Sequence, residues 1–240
     1  MIVTRPRASS AGLAAALRAR GARVVFAPLI NTTPPKSWKS LDRALRRLSR
    51  FDAVAFSSRT AVDFFFTRMK SVLRDRPRRP RFIAAVGPAT AKALAARGWK
   101  CSVVPEDARA AGLARAWKLP RGARVLLPRA ERGLTVLPEA LAAAGARVTL
   151  AAAYRTVRDP AGLRVLRRAV AAGADAACFA SGSAAAALGA ARLGRCAAVA
   201  IGPTTAAALR ARGLRAAAVA RNPGADAFAD AVARALEGKK

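Results

Sequence analysis

The sequence predicts an α/β protein made of two similar parallel-sheet lobes. Three observations carry this. Apolar runs of roughly four to six residues alternate with helix-period segments along the chain, and many of the helical segments end at glycine. The stretch AVGPATAKALAARG, starting at Ala85, returns as AIGPTTAAALRARG starting at Ala200, identical at ten of fourteen positions and 115 residues later. A chain of 240 residues, 53% of them hydrophobic, can fill two domains of ordinary size.

The elements follow in order. IVT (Ile2–Thr4) is a short strand, and RPRAS turns the chain into the helix SAGLAAALRARG, stopped by Gly21. ARVVFAP is the next strand. APLINTTPPKSW, from Ala27, is extended and ends in proline. FDAVAFSS leads into the helix RTAVDFFFTRM. RFIAAVGP is a strand, and ATAKALAARG a helix ended by Gly98. KCSVVP is a strand and DARAAGLARAW a helix. ARVLLPRA, GLTVLPEALAAAG and ARVTLAAAY read as strand, helix and long strand. AAAYRTVRDP, from Ala151, is a second extended segment that ends in proline. LRVLRRAVAAG, DAACFAS, GSAAAALGAARLG, CAAVAIGP, TTAAALRARG, LRAAAVA and GADAFADAVARALEG continue the alternation of strands with crossover helices.

The repeat extends beyond the opening pair. FDAVAFSSRTAV, from Phe51, matches ADAACFASGSAA, from Ala174, with Ser58 facing Ser181. TRPRA at Thr4 resembles LPRA at Leu127, and GARV occurs at Gly21 and Gly145. These elements keep their order in both halves, so the chain is an internal duplication. Its period, roughly 115–124 residues, is too long for a solenoid. A bilobed protein with a cleft is the expected result, the two extended segments being paired crossovers.

Composition narrows the chemistry. The chain has no histidine, which removes Ser-His-Asp and Cys-His catalysis and most transition-metal sites. Acid–base work falls to Tyr, Asp, Glu, Lys, substrate groups or water. The three cysteines (Cys101, Cys178, Cys196) are scattered and odd in number, which argues against a disulfide framework or structural zinc. The longest uncharged run, Ala176–Ala191, is short of a membrane span, and the opening residues carry no signal-peptide stretch. A soluble cytoplasmic protein is expected. The formal net charge of +31 suits a polyanionic partner, but arginines decorate nearly every helix rather than one patch. The aromatic residues are not interleaved with them as a base-stacking surface requires.

The repeated stretches carry the candidate site. In VGPAT and IGPTT a buried strand ends at Gly87 or Gly202 and proline opens a helix, where its missing N–H costs nothing. The glycines allow a sharp turn and close approach of a ligand. Thr90 and Thr205 fall in the first turn, beside N–H groups without intrahelical partners. Such a terminus binds carboxylate or phosphate oxygens. FSSRT and FASGS repeat the arrangement with Ser58 and Ser181. Each junction reads equally as an ordinary turn or cap; four in matched lobes strengthen the ligand reading. Neither a P-loop nor a well-placed G-x-G-x-x-G is present to support a nucleotide. Tyr154 is the only tyrosine, on the second extended segment beside Arg155. Its ring is either packing at a lobe junction or a phenol that donates a proton into the cleft.

Taken in order, VTRPRASSAGLAAALRARGARVVFAPLI, FDAVAFSSRTAV, AAVGPATAKALAARG, VLLPRAERGLTVLPEALAAAGARVTLAAAYRT and AAVAIGPTTAAALRARGL resemble the uroporphyrinogen-III synthase family over nearly the whole chain. The resemblance implies two flavodoxin-like lobes, intertwined by duplication and joined by a two-stranded β-ladder. Residues 1–30 and 158–240 would form one lobe and 35–150 the other, with 31–34 and 151–157 as crossover linkers. It implies closure of hydroxymethylbilane, a linear tetrapyrrole with eight carboxylates, into uroporphyrinogen III. The last ring is inverted and water is lost, through an azafulvene and a spiro intermediate, without metal or organic cofactor. Position by position, Tyr154 matches the tyrosine that assists departure of the hydroxyl. Thr90, Thr205, Ser58 and Ser181 match the hydroxyls of the four junctions, with Gly87, Gly202 and Thr4 beside them. Arg5 and Arg129 are the arginines placed to meet carboxylates. A monomer is expected, with no membrane and no specific nucleic acid as partner. The alternative from another class is a bilobed binding protein for nucleic acid or a small polyanion, motivated by the charge and the Gly-Pro corners.

Overall fold

A computed structural model describes residues 1–73, 79–107, 110–116 and 120–237. Its strands are β1 (Ile2–Val3), β2 (Val25–Phe26), β3 (Ile30–Thr33), β4 (Ala53–Phe56), β5 (Phe82–Ala85), β6 (Arg124–Ala130), β7 (Arg147–Arg158), β8 (Ala176–Phe179), β9 (Ala197–Ala200) and β10 (Ala218–Val219). The helices are α1 (Ala11–Ala19), α2 (Lys39–Arg46), α3 (Arg59–Val72), α4 (Pro88–Ala95), α5 (Ala110–Arg115), α6 (Val136–Ala143), α7 (Pro160–Ala171), α8 (Gly182–Ala187), α9 (Pro203–Arg210) and α10 (Ala225–Glu237). The chain divides into two compact units, Met1–Asn31 with Val157–Lys240, and Thr32–Thr156.

In the first unit the strand order is β10-β9-β8-β1-β2, every pairing parallel. Period-2 alternation sends neighbouring residues to opposite faces. Ile2, Ala177 and Phe179 meet Leu166, Ala184, Ala185 and Leu209 of α7, α8 and α9. Val3, Cys178 and Val199 meet Leu13 and Leu17 of α1 and Phe228 and Val232 of α10. A sheet covered on both faces needs apolar strands throughout, as parallel sheets do. The alanine load sets the spacing: a β-carbon on Gly182 of α8 would lie 3.3 Å from Cβ of Ala208 on α9.

The second unit repeats the plan with order β3-β7-β6-β4-β5. The β4–β5, β4–β6 and β6–β7 pairings are parallel, and an isolated parallel bridge joins Ala84 to Val103. Val54, Phe56 and Ile83 pack with Leu41, Leu45, Phe65 and Leu94 of α2, α3 and α4. Ala53, Ala55 and Val125 pack with Leu113, Leu137 and Leu141 of α5 and α6. Phe56 and Phe65 are completely buried, and each burial of this kind stabilises by about 1.5–3 kcal/mol. Matching repeated sequences pairs β5 with β9, β4 with β8, β6 with β1 and β7 with β2. In that correspondence the two sheets run in the same spatial order.

Several elements differ from the expectations. KCSVVP contributes only the bridge at Val103, and LRAAAVA shortens to the two residues of β10. α8 ends after six residues, and Gly189 beyond it takes a left-handed φ of 60°. DARAAGLARAW falls partly outside the described residues. α2 is an additional element; it follows the prolines of APLINTTPPKSW, and its Leu41 and Leu45 face the core. β7 is one continuous strand of 12 residues that contains Tyr154. Among the described residues no helix is long and apolar enough to cross a membrane.

Candidate functional site

Parallel strands place their carboxyl ends on one edge, and in the second unit three chain segments converge there. β4 and β5 pair in register, Phe56 opposite Ala85, so their exits are neighbours. The amide of Val86 donates to the Phe56 carbonyl at 3.0 Å. β4 exits through Ser58, the N-cap of α3. Its Oγ accepts the Ala61 amide at 3.1 Å, which satisfies one of the orphan donors of the first turn. β5 exits through Gly87, whose carbonyl accepts the Thr90 and Ala91 amides at 3.1 Å each while Pro88 opens α4. Thr90 is nearly buried, at 6% exposure.

β7 supplies the third segment. The Tyr154 carbonyl accepts the Glu131 amide at 2.7 Å, so β7 stays bound to β6 up to the end of that strand. The register shifts between Arg129 and Ala130, and Ala130 then pairs with Tyr154. The Tyr154 ring stacks on Phe64 of α3, with centroids 5.8 Å apart and planes at 21°. Its hydroxyl lies 3.3 Å from Ser58 Oγ. A half-buried phenol thus sits beside the N-terminus of a 14-residue helix, where the partial positive charge of the helix favours an anion. Arg129 is half-buried and folds against the loop after β6; a β-carbon on Gly133 would lie 2.5 Å from its Nη2.

The first unit repeats the junctions closely. Ser181 caps α8, accepting the Ala184 amide at 3.2 Å. The Ile201 amide donates to the Phe179 carbonyl at 2.9 Å, and the Gly202 carbonyl accepts the amides of Thr205 (3.1 Å) and Ala206 (3.0 Å). Thr205 is 4% exposed. The units differ in what each brings to its own serine cap: β7 brings Tyr154 to Ser58, whereas the unit that holds Ser181 contains no tyrosine.

Three expectations change. Gly87 (φ −152°) and Gly202 (φ −178°) are extended, a conformation open to any residue, so neither glycine is required for a sharp turn. At Gly202 a β-carbon would meet nothing within 4 Å, so packing does not require the glycine either. Thr4 has 0% exposure and its hydroxyl donates to the Cys178 carbonyl at 2.8 Å, fastening β1 to β8. Its side chain has no surface left for a ligand. Arg5, just beyond β1, is exposed as a whole residue, yet desolvation lowers its guanidinium pKa from the ordinary value; an arginine so shifted keeps its charge. Phe64, the partner of the Tyr154 ring, has no distinguishing mark in the sequence, where it reads as one of three consecutive phenylalanines on an apolar helix.

Residues 11–230 match the family model described as uroporphyrinogen-III synthase HemD. The chain belongs to the uroporphyrinogen-III synthase family. Uroporphyrinogen-III synthase of Synechococcus elongatus is 35% identical over 158 residues, which span 65% of this chain and 60% of that relative. The aligned stretch is thus less than two thirds of the relative's length. A crystal structure of a mutant uroporphyrinogen III synthase from the extremely thermophilic bacterium Thermus thermophilus matches 99% of this chain and 98% of its own, with 24% identity and a TM-score of 0.70. That of uroporphyrinogen-III synthetase from Helicobacter pylori 26695 matches 87% and 92%, with 20% identity and a TM-score of 0.60. At those identities the two structures support the synthase fold, mixed α/β with two parallel-sheet regions. All three of these proteins carry the name of the synthase or synthetase, and none that of a nucleic-acid-binding protein.

Proposed function

We propose that the chain closes hydroxymethylbilane into uroporphyrinogen III with inversion of the terminal ring and loss of water, a lyase reaction of tetrapyrrole (haem) biosynthesis. The observation that carries this reading is the convergence of the Tyr154 and Ser58 hydroxyls at the α3 N-terminus, in a chain whose family match runs from residue 11 to 230. Tyr154 donates its proton to the departing hydroxyl, which leaves as water; the pyrrole nitrogen supplies the electron pair that forms the azafulvene. The substituted carbon of the terminal ring attacks, and the spiro intermediate rearranges. Closure expels the ring hydrogen as a proton, which returns to the tyrosine. The remaining contribution is positional: a folded chain held so that inversion outruns direct closure.

The helix ends at Ser58 and Gly87, and their counterparts at Ser181 and Gly202, offer backbone amides to substrate carboxylates, with Thr90 and Thr205 shaping the first turns. Arg5 and Arg129 add positive charge at the ends of β1 and β6. The strand order of the first unit, counted within that unit as 2-1-3-4-5, supports a flavodoxin-like lobe. The unit boundaries at 31/32 and 156/157 fall inside β3 and β7, adjacent strands of one sheet. This supports the two-stranded ladder as the joint and the intertwined duplication as its origin. Three cysteines outside any disulfide suit a reducing cytoplasm, and the reading uses a single copy of the chain. Purified protein given freshly made hydroxymethylbilane, followed by oxidation and separation of isomers, should yield mainly isomer III. Isomer I alone, as in the enzyme-free control, contradicts the proposal.

A further inference from the structure

We infer that Ser58 is a positioning residue for Tyr154: its hydroxyl donates to the phenol oxygen, turns the phenol proton outward and holds the phenolate after that proton has left. The inference rests on the proposed reaction and assigns to Ser58 a task other than contact with substrate. Ser58 Oγ already accepts the Ala61 amide at 3.1 Å, so one lone pair is committed and the hydroxyl is fixed in place. Tyr154 Oη, at 3.3 Å, is the side-chain partner toward which the serine proton can point. A hydroxyl that accepts from an amide is a stronger donor, because consecutive hydrogen bonds polarise one another. The separation is long for an O–H···O pair, and such contacts commonly tighten when substrate is bound.

The ring cannot easily leave this arrangement. Phe64, on the same helix that Ser58 caps, stacks against it at 5.8 Å, and the Glu131 amide holds the Tyr154 carbonyl at 2.7 Å. Backbone, ring and hydroxyl are therefore each fixed by a different contact. Proton balance follows from the geometry. The phenol proton joins the departing hydroxyl to make water, and the negative charge left on Oη faces the serine hydroxyl and the α3 N-terminus. The charge is discharged when the closing pyrrole gives up its ring hydrogen as a proton. Ser181 makes the same cap, 3.2 Å from the Ala184 amide, in a unit whose own residues include no tyrosine, so the duplication contains its own comparison.

The lone tyrosine makes the test direct, since protein grown on tyrosine labelled only at Cζ gives a single labelled carbon resonance, that of Tyr154. Ser58→Ala should move that resonance and lower kcat more than tenfold, with KM within about twofold. Ser58→Thr should restore both. Ser58→Gly removes the hydroxyl while glycine remains a well-tolerated N-cap residue, so its kcat should fall like that of Ser58→Ala in a fully folded protein. Ser181→Ala, which loses the equivalent cap, should leave the tyrosine resonance in place. If Ser58→Ala and Ser58→Gly leave the resonance and kcat unmoved while Tyr154→Phe is slow, this inference is overturned and the reaction assignment stands. If Tyr154→Phe turns over at the wild-type rate, the role of Tyr154 in the proposed reaction fails first.

Discussion

A β-carbon on Gly162 would lie 1.7 Å from the carbonyl oxygen of Pro28. Both atoms belong to backbone-fixed positions: Gly162 is in the first turn of α7, capped by Asp159 Oδ1, and Pro28 precedes the strand β3. No rotamer relieves the overlap. Gly162→Ala should cost about 3 kcal/mol or more, despite the better helix propensity of alanine. Gly12→Ala is the contrast. Its β-carbon meets Cβ of Ala225 at 3.5 Å, an ordinary contact, and the helix α1 should gain up to ~1 kcal/mol. Denaturant titration of the two variants reads the difference; equal effects would contradict this packing.

Arg68 grips both carboxylate oxygens of Asp42, at 2.7 and 2.6 Å, while its guanidinium lies 4.8 Å from the Trp38 ring centre. The pair ties α3 to α2, and the hydrogen bonds to Asp42 raise the arginine pKa from its ordinary value. Arg68→Ala should destabilise by about 1–2 kcal/mol, part of it lost packing. Arg68→Lys should recover less than half, because an ammonium cannot reproduce the fork. Recovery of full stability by lysine, measured as the denaturation midpoint, would show that charge alone carries the contact.

Cys178 lies at the centre of β8, and burial pushes its thiol up from the ordinary 9.0 to about 12. The sign follows from proton counting. Above pH 9 the unfolded chain loses the thiol proton while the folded chain keeps it, so stability falls as pH rises from about 9 to about 12, by ~1.4 kcal/mol per unit. Below pH 9 this thiol contributes no slope. Cys178→Ala should flatten the dependence in that window. In native protein Cys178 and the buried Cys196 should resist a thiol reagent that reacts first with the half-exposed Cys101. Early labelling of Cys178 would contradict the placement of β8 at the sheet centre.

The alternation of strands and crossover helices is legible in the sequence because fully buried strands and Gly-stopped helices write distinct local patterns. The four junctions are legible because the duplication prints each of two junction types twice. Tyr154 stands out by being alone. Its partner does not: Ser58 is 96 positions away in sequence, and the contact depends on β7 staying paired to β6 as far as Ala130, where a register shift at Arg129/Ala130 sets Tyr154 opposite it. Thr4 ends the strand IVT in the sequence, but that its hydroxyl turns to the Cys178 carbonyl and not to a ligand depends on a strand 174 positions away. The glycines of the Gly-Pro corners look like turn residues, since sequence reports the freedom of a glycine and not the φ it adopts. α2 is hidden by its arginines, which outweigh the stripe formed by Leu41, Ala44 and Leu45.

The most direct measurement is the turnover of hydroxymethylbilane by Tyr154→Phe, followed with isomer separation in the same samples. In the proposed reaction the phenol that lies 3.3 Å from Ser58 protonates the departing hydroxyl, so the variant should slow more than tenfold (~1.4 kcal/mol in the barrier). Whatever it does form should still be isomer III, because folding of the substrate is left to the helix ends. A variant that runs at the wild-type rate would contradict the account.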